Sequence, residues 1–357
     1  MTQPRISKLR ESLRQEGLDA LIVSSIHNIR YLTSFSGSNA LCVVKQKEAD
    51  FLTDGRYAEQ ARDEVSRRFK RTITALGLYE GIAKQRLLHG CKKVGFESHY
   101  VSYAQYRTIK KLCPSVSFVP TMDLVERLAL LKDVGEIASI QKAVDISDKV
   151  FGEVLSMIKP GMEERTVAAE ISYLHKHFGA EGDSFETIVA SGSRGSLPHA
   201  RASSKRIQKG EMVTLDFGCV VNGYNSDITR TLAVGRASRR AREIHRVVLD
   251  AQTCAIDAAR GGMSARELDA VARTQISRAG FGKYFIHSLG HGLGLHVHER
   301  PRISSLSKEH LQAGNVITIE PGVYIPNFGG VRIEDDILLT ETGCRVLNSA
   351  PKELLIV

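Results

Sequence analysis

The sequence predicts an α/β N-terminal domain followed by a larger domain that carries one helical-then-β-rich unit twice. Three observations lead there. Strand and helix signals alternate through the first third of the chain, as in α/β domains. The alternation breaks at Pro120-Thr121-Met122-Asp123. Beyond it, Gly161-Met162-Glu163-Glu164-Arg165-Thr166-Val167-Ala168-Ala169 aligns with Gly262-Met263-Ser264-Ala265-Arg266-Glu267-Leu268-Asp269-Ala270, an offset of 101 residues that also carries Gly179 onto Gly280.

In the first domain, Leu9 and Leu13 share one helix face over Ser7–Glu16, and Gly17 stops that helix. Strands follow at Ala20–Val23, Ala40–Val44 and Asp50–Thr53, then a helix over Tyr57–Val65. The domain is taken as 1–121, a linker as 122–131 and the second domain as 132–357. Leu124–Leu131 leads into a long helix, Val134–Ile158, which Lys159-Pro160-Gly161 ends. A duplicated unit leaves a cleft between its halves, where sites form.

Composition removes several classes. A chain of 357 residues, 42% hydrophobic and 25% charged, is globular and long enough for two cores. No apolar run reaches the roughly 18 residues of a membrane helix, and the charged N-terminus lacks the apolar core of a secretory signal. The six cysteines form no C-x-x-C pair, which argues against a disulfide scaffold or structural zinc and for reduced thiols in a cytoplasmic setting. No glycine-rich phosphate motif occurs. The net charge of +9 lies wholly in residues 1–120, with 20 Lys/Arg against 11 Asp/Glu, and is interspersed with apolar and acidic positions. That pattern reads as a solvated face rather than a nucleic-acid surface.

The chemistry sits in the second domain. Two strand-like runs flank Asn222-Gly223, a strong hairpin signal. A two-residue turn there sets Asp216 opposite Thr229 and turns Asp227 to the same side. Two carboxylates on one apolar-flanked face are costly unless a cation lies between them. Gly290-His291-Gly292 offers an imidazole, and Glu320 and Glu334 each follow a β-branched stretch where glutamate is a poor strand former. Four carboxylates and one imidazole suit a pair of hard or borderline divalent ions.

These residues, in the motifs LDFG, SDITRT, GHGLGLHVHE, ITIEPGVY and GGVRIEDD, resemble the metallopeptidases of the methionine aminopeptidase, prolidase and aminopeptidase P family. NIRYLT (28–33) and TDGRY (53–57) resemble the extra N-terminal domain of its proline-specific members. The resemblance covers essentially the whole chain and implies an α+β pita-bread catalytic domain with pseudo-twofold halves. It implies Asp216 on one metal, His291 and Glu320 on the other, and Asp227 and Glu334 bridging. Two divalent ions are expected, Mn²⁺ first, with Co²⁺ and Zn²⁺ as alternatives.

Glu320 is then the general base, His199 and His298 contact the substrate or stabilise the tetrahedral intermediate, and His287, Tyr324 and Arg332 line the pocket and support the metal shell. His296 departs from the family, which usually carries an acid there. The implied reaction is attack by a metal-bridged hydroxide on the bond before a proline at the second position of a peptide. The sequence favours an Xaa-Pro aminopeptidase. The alternative is an Xaa-Pro dipeptidase, for which Arg302 is the candidate to hold the terminal carboxylate. More distant alternatives are a non-catalytic binding protein on this scaffold and a metal-free hydrolase of the creatinase type. A homodimer is expected from the resemblance, with neither a membrane nor a nucleic acid as partner.

Overall fold

The computed structural model describes residues 2–357, with side chains from residue 5 onward. The chain divides into two compact units, Met1–Ala129 and Leu130–Val357.

The first unit is built on one mixed sheet of β1 (Ala20–Val23), β2 (Ala40–Lys45), β3 (Ala49–Asp54), β4 (Lys70–Thr74), β5 (Lys93–Glu97) and β6 (Ser117–Thr121), in the order β4-β3-β2-β1-β5-β6. Helices α1 (Thr2–Gln15), α2 (Ile26–Thr33), α3 (Ala58–Glu64), α4 (Leu78–Lys84), α5 (Tyr103–Leu112) and α6 (Glu126–Ala129) complete it. Helix α1 buries Ile6, Leu9 and Leu13, spaced to share one face. The sequence did not single out α2, which is short and carries a mixed face. Its ends are set by polar groups: the Ser25 side chain accepts from Asn28 N, and Ser34 closes the helix in the left-handed region at φ 70°.

The expected helical lead-in over 124–131 is interrupted after Ala129. Asp133 caps a fresh helix, its side chain accepting from Gly135 N and Glu136 N while Glu136 reaches back to Asp133 N. That helix is α7 (Val134–Met157), followed by α8 (Glu164–His177), α9 (Arg239–Ala258) and α10 (Ala265–Arg278).

Strands β7 (Gly182–Asp183), β8 (Ile188–Ser191), β9 (Met212–Phe217), β10 (Cys219–Val221), β11 (Tyr224–Asn225) and β12 (Ile228–Ala233) follow α8 as two three-stranded sheets, β11-β10-β7 and β12-β9-β8. After α10 come β13 (Gly290–Gly292), β14 (Glu299–Ile303), β15 (Val316–Ile319), β16 (Gly322–Ile325), β17 (Gly329–Arg332), β18 (Asp335–Leu339) and β19 (Cys344–Val346). They pair as β14-β13-β15-β18-β19 and β16-β17.

Each half therefore lays a helix pair over sheet and has its own core. Val150, Val154, Val167 and Ile171 pack with Leu215, Phe217 and Ile228 in the first half. Ile244, Val248, Leu268 and Ile276 pack with Ile317, Ile319 and Ile337 in the second. Such burial is worth roughly 1.5–3 kcal/mol per large aliphatic side chain.

The duplication extends to hydrogen bonds. Gly161 N bonds Ile207 O and Ile207 N bonds Met162 O, each at 2.8 Å; Gly262 N to Leu311 O and Leu311 N to Met263 O repeat the pattern, also at 2.8 Å. The glycine identities have a physical reason. Gly161 and Gly262 lie at φ 92° and 81°, and Gly179 and Gly280 at 95° and 84°, so each pair needs the left-handed region that glycine enters freely. This is the pita-bread architecture the family resemblance implied.

Candidate active site

The hairpin at Asn222-Gly223 has the predicted register. Both turn residues have positive φ, 51° and 80°, and Asp216 pairs with Thr229. Asp216 lies on β9 and Asp227 just ahead of β12, while His291 is on β13, Glu320 follows β15, and Glu334 joins β17 to β18. Two pieces of sheet from one half and three from the other thus supply the five side chains. All five line one cleft of about 710 Å³, together with His199, His287, His298, Arg302 and Arg332. Tyr324 stands behind this lining, buried and bonded to His287.

The proton bookkeeping in the cleft is decisive. His291 Nδ1 lies 3.1 Å from the Gly292 carbonyl, which can only accept, so Nδ1 carries the proton. Its Nε2 lone pair then faces Glu320 Oε1 at 3.5 Å and Asp227 Oδ2 at 3.7 Å. Ligand atoms of Asp227, His291 and Glu334 all lie within 4.8 Å of one another. Asp216 Oδ1 and Asp227 Oδ1 are buried without a hydrogen-bond donor. These acceptors converge with no hydrogen-bond donor of the surrounding chain on either Oδ1.

Electrostatics say the same. Burial first, and then the neighbouring carboxylates, push the Asp227 and Glu320 carboxyls well above their usual range and Glu334 up to about 8. Burial likewise lowers His291 to about 4, which keeps its imidazole neutral. An oxygen-rich set with one neutral imidazole fits hard or borderline divalent ions, and the orphaned oxygens are the observation that makes the fit specific.

Neighbouring side chains hold the set in place. The Arg332 guanidinium is bonded to Asp216, donates to Tyr324 OH at 2.7 Å and to Pro198 O at 3.2 Å, and reaches Thr229 Oγ1 at 3.0 Å. Thr229 in turn donates to Glu334 Oε2 at 2.6 Å. His287 Nδ1 lies 2.8 Å from the Ser288 carbonyl and so carries the proton; Tyr324 OH therefore donates to His287 Nε2, at 2.9 Å. Burial lowers His287 to about 3, consistent with a neutral ring. His298 stands edge-on to His291, their ring centres 4.4 Å apart. His199 lies on the exposed part of the loop after β8, and Glu320 Oε2 is 4.0 Å from His287 Nδ1. His296 does not line the cleft; its carbonyl accepts from Gly294 N at 3.1 Å.

Sequence reasoning missed the residues that act through backbone. Arg273 and the buried Asp269 form a two-point ion pair on α10; Arg273 donates to Phe285 O and His287 O, at 3.0 and 2.8 Å, and Asp269 accepts from Leu289 N. Together they hold the segment that carries His287. Lys132 is buried against Glu299, the residue after His298. Asp336 accepts from Asp227 N at 2.9 Å. Of these, Asp336 had a visible signal in the acidic run that closes VRIEDD, and Asp269 with Arg273 in their i,i+4 spacing.

Fold and site together define a metal-dependent hydrolase with a preformed cleft. Residues 138–341 match metallopeptidase family M24, and residues 5–129 match the creatinase/prolidase N-terminal domain. The chain is 41% identical to the Xaa-Pro dipeptidase of Pyrococcus furiosus over 98% of this chain and 99% of that protein. Among solved structures it is similar to an Xaa-Pro dipeptidase from Bacillus anthracis, with a TM-score of 0.97, 41% identity and full coverage of both chains. It is also similar to an X-Pro aminopeptidase from Thermotoga maritima, with a TM-score of 0.91 and 36% identity over 99% of each chain. The chain belongs to metallopeptidase family M24. It is an enzyme, a metal-dependent peptidase.

Proposed function

We propose that the chain is an Xaa-Pro dipeptidase, which hydrolyses dipeptides whose second residue is proline. This moves the reading from the aminopeptidase that the sequence alone favoured. The observation that carries it is how the cleft arginines are paired. Arg332 is bonded to Asp216 and Arg201 pairs with Glu186 at 3.2 Å, whereas the exposed Arg302 guanidinium has no ion pair among the described residues. An unmatched guanidinium at the mouth of an acid-lined cleft suits the free carboxylate of a terminal proline, bound at two points. The dipeptidase names among the similar proteins favour the same reading.

Asp216, Asp227, His291, Glu320 and Glu334 would hold the divalent ions, with Mn²⁺ proposed first. When bound, such ions supply Lewis acidity, lowering the pKa of water and polarising the scissile carbonyl. The chain's residues do the rest. Arg302 orients the proline end. Glu320, beside both His287 and His291, accepts a proton from the attacking water and returns it to the proline nitrogen, which has no proton of its own in the peptide. His298 and His199 line the cleft where they can donate hydrogen bonds to the developing oxyanion. Tyr324, fixed between His287 and Arg332, keeps that wall rigid. A homodimer, carried from the family resemblance, and a cytoplasmic setting, carried from the unpaired cysteines, belong to the same reading.

The test compares Gly-Pro with Ala-Pro-Ala as substrates of the Mn²⁺-loaded enzyme. Faster cleavage of the dipeptide, with preference lost in Arg302→Met, is the expected result. Faster cleavage of the tripeptide by both proteins overturns the dipeptidase reading in favour of the aminopeptidase.

A further inference from the structure

Glu164 opens α8 and is completely buried, yet no part of the mechanism above uses it. A buried carboxylate needs compensating donors. Glu164 has five, and all come from the segment 191–203. Oε1 accepts from Ser191 N at 2.8 Å and Ser191 Oγ at 2.9 Å. Oε2 accepts from Arg194 Nε at 2.9 Å, Ser203 N at 3.2 Å and Ser203 Oγ at 2.7 Å. One side chain therefore ties both ends of the segment 191–203 to the start of a helix. Arg194 extends the brace by donating to Arg201 O.

The duplication supplies a control. Residue 265 takes the place of residue 164 in the second half, and there it is a buried alanine. Backbone bonding at the two helix starts is the same: Glu164 N bonds Lys205 O at 3.1 Å, and Ala265 N bonds Glu309 O at 3.0 Å. The helix start itself thus needs no carboxylate. In the first half the carboxylate is used instead on the loop that carries Pro198 and His199 into the cleft. The His199 side chain makes no hydrogen bond or ion pair among the described residues, so the backbone of the loop alone sets its place. Pro198 O accepts from Arg332, which ties the same loop to the residue that holds Asp216.

We infer that Glu164 is a positioning residue for the peptidase reaction: by closing the segment 191–203 it fixes His199 against the substrate. This rests on the cleft being the peptidase site. The experiment is a double-mutant cycle on the Mn²⁺-loaded full chain with Gly-Pro, in which Glu164→Gln and Ser203→Ala are each made with and without His199→Ala. Amide exchange of Ser191 and Ser203 is followed in parallel.

A misplaced group of this kind costs about 10²-fold in kcat/KM, so Glu164→Gln is expected to lose that much in the wild-type background. In the His199→Ala background the further loss should stay within about 2-fold, because the residue it positions is gone. Exchange at both amides should quicken. Ser203→Ala, which removes one donor and keeps the carboxylate, should show the same dependence on His199 with a smaller loss, and it stands alone if Glu164→Gln does not fold. Equal losses in both backgrounds, or full activity in Glu164→Gln despite faster exchange, overturns the proposal. Failure of the wild-type enzyme to cleave any Xaa-Pro peptide instead overturns the peptidase reading, and the exchange data still report whether Glu164 closes the loop.

Discussion

At the scale of single residues, the metal-free centre is a site of stored repulsion. Asp227 is buried among Asp216, Glu320, Glu334 and Asp336, each of which pushes its carboxyl upward. Replacing it by asparagine keeps the shape and removes one costly ionisable carboxyl. Asp227→Asn should therefore abolish hydrolysis yet raise the melting temperature of the metal-free protein, by about 2–4 °C for each kcal/mol of repulsion relieved. A calorimetric scan checks the second half, and a lowered melting temperature would count against the account. The same residue shows what sequence can reveal. Asp216 and Asp227 were legible because an Asn-Gly turn fixes register by counting, and the observed pairing of Asp216 with Thr229 follows that count. Glu164, Asp269 and Lys132 were not legible. Apart from the i,i+4 pairing of Asp269 with Arg273, their partners lie far along the chain, and no local pattern encodes a group brought close by folding.

Among elements, α10 does for His287 what α8 does for His199, by different chemistry. Asp269 and Arg273 together hold the backbone of 285–289, and the two-point geometry makes them one unit. Arg273→Met strands the buried Asp269 carboxylate and should cost about 3 kcal/mol, the usual penalty for breaking such a pair from one side. The double variant Arg273→Met with Asp269→Asn should cost less than the sum of the singles, as measured by urea unfolding. Additive losses would mean that the two residues act separately. Element existence was largely readable from apolar spacing, as in α1 and α7, whereas the break after Ala129 depended on the Asp133 cap outcompeting helix continuation.

Across the whole molecule, two buried groups, Glu97 in the first unit and His245 in the second, should respond to pH with opposite sign. In the first unit, burial pushes Glu97 up to about 7, despite bonds from Ser24 N, Ser25 N and Asn28 Nδ2 and with Glu126 adding repulsion. A raised carboxyl favours the folded state below the unfolded value near 4.5, and that stability is lost as pH rises through about 7; the loss is about 3 kcal/mol. In the second unit, burial lowers His245 from 6.5 to about 4, so its contribution is present above 6.5 and is lost as pH falls toward 4. Glu97→Gln should flatten the pH dependence of first-unit unfolding between about 5 and 7.5, followed by amide exchange. An unchanged profile would contradict the assignment. The duplication is the feature of the whole molecule that sequence displayed best, since its left-handed glycines cannot drift.

The reaction proposed for the cleft requires its five converging side chains to hold divalent ions. Titration of the metal-stripped protein with Mn²⁺, read as bound ions per chain, tests it most directly. Two ions per chain are expected, with a rise in melting temperature with free Mn²⁺ and weaker binding in Asp227→Asn. Absence of Mn²⁺ binding to the folded wild-type protein, or binding untouched by Asp227→Asn, would contradict it.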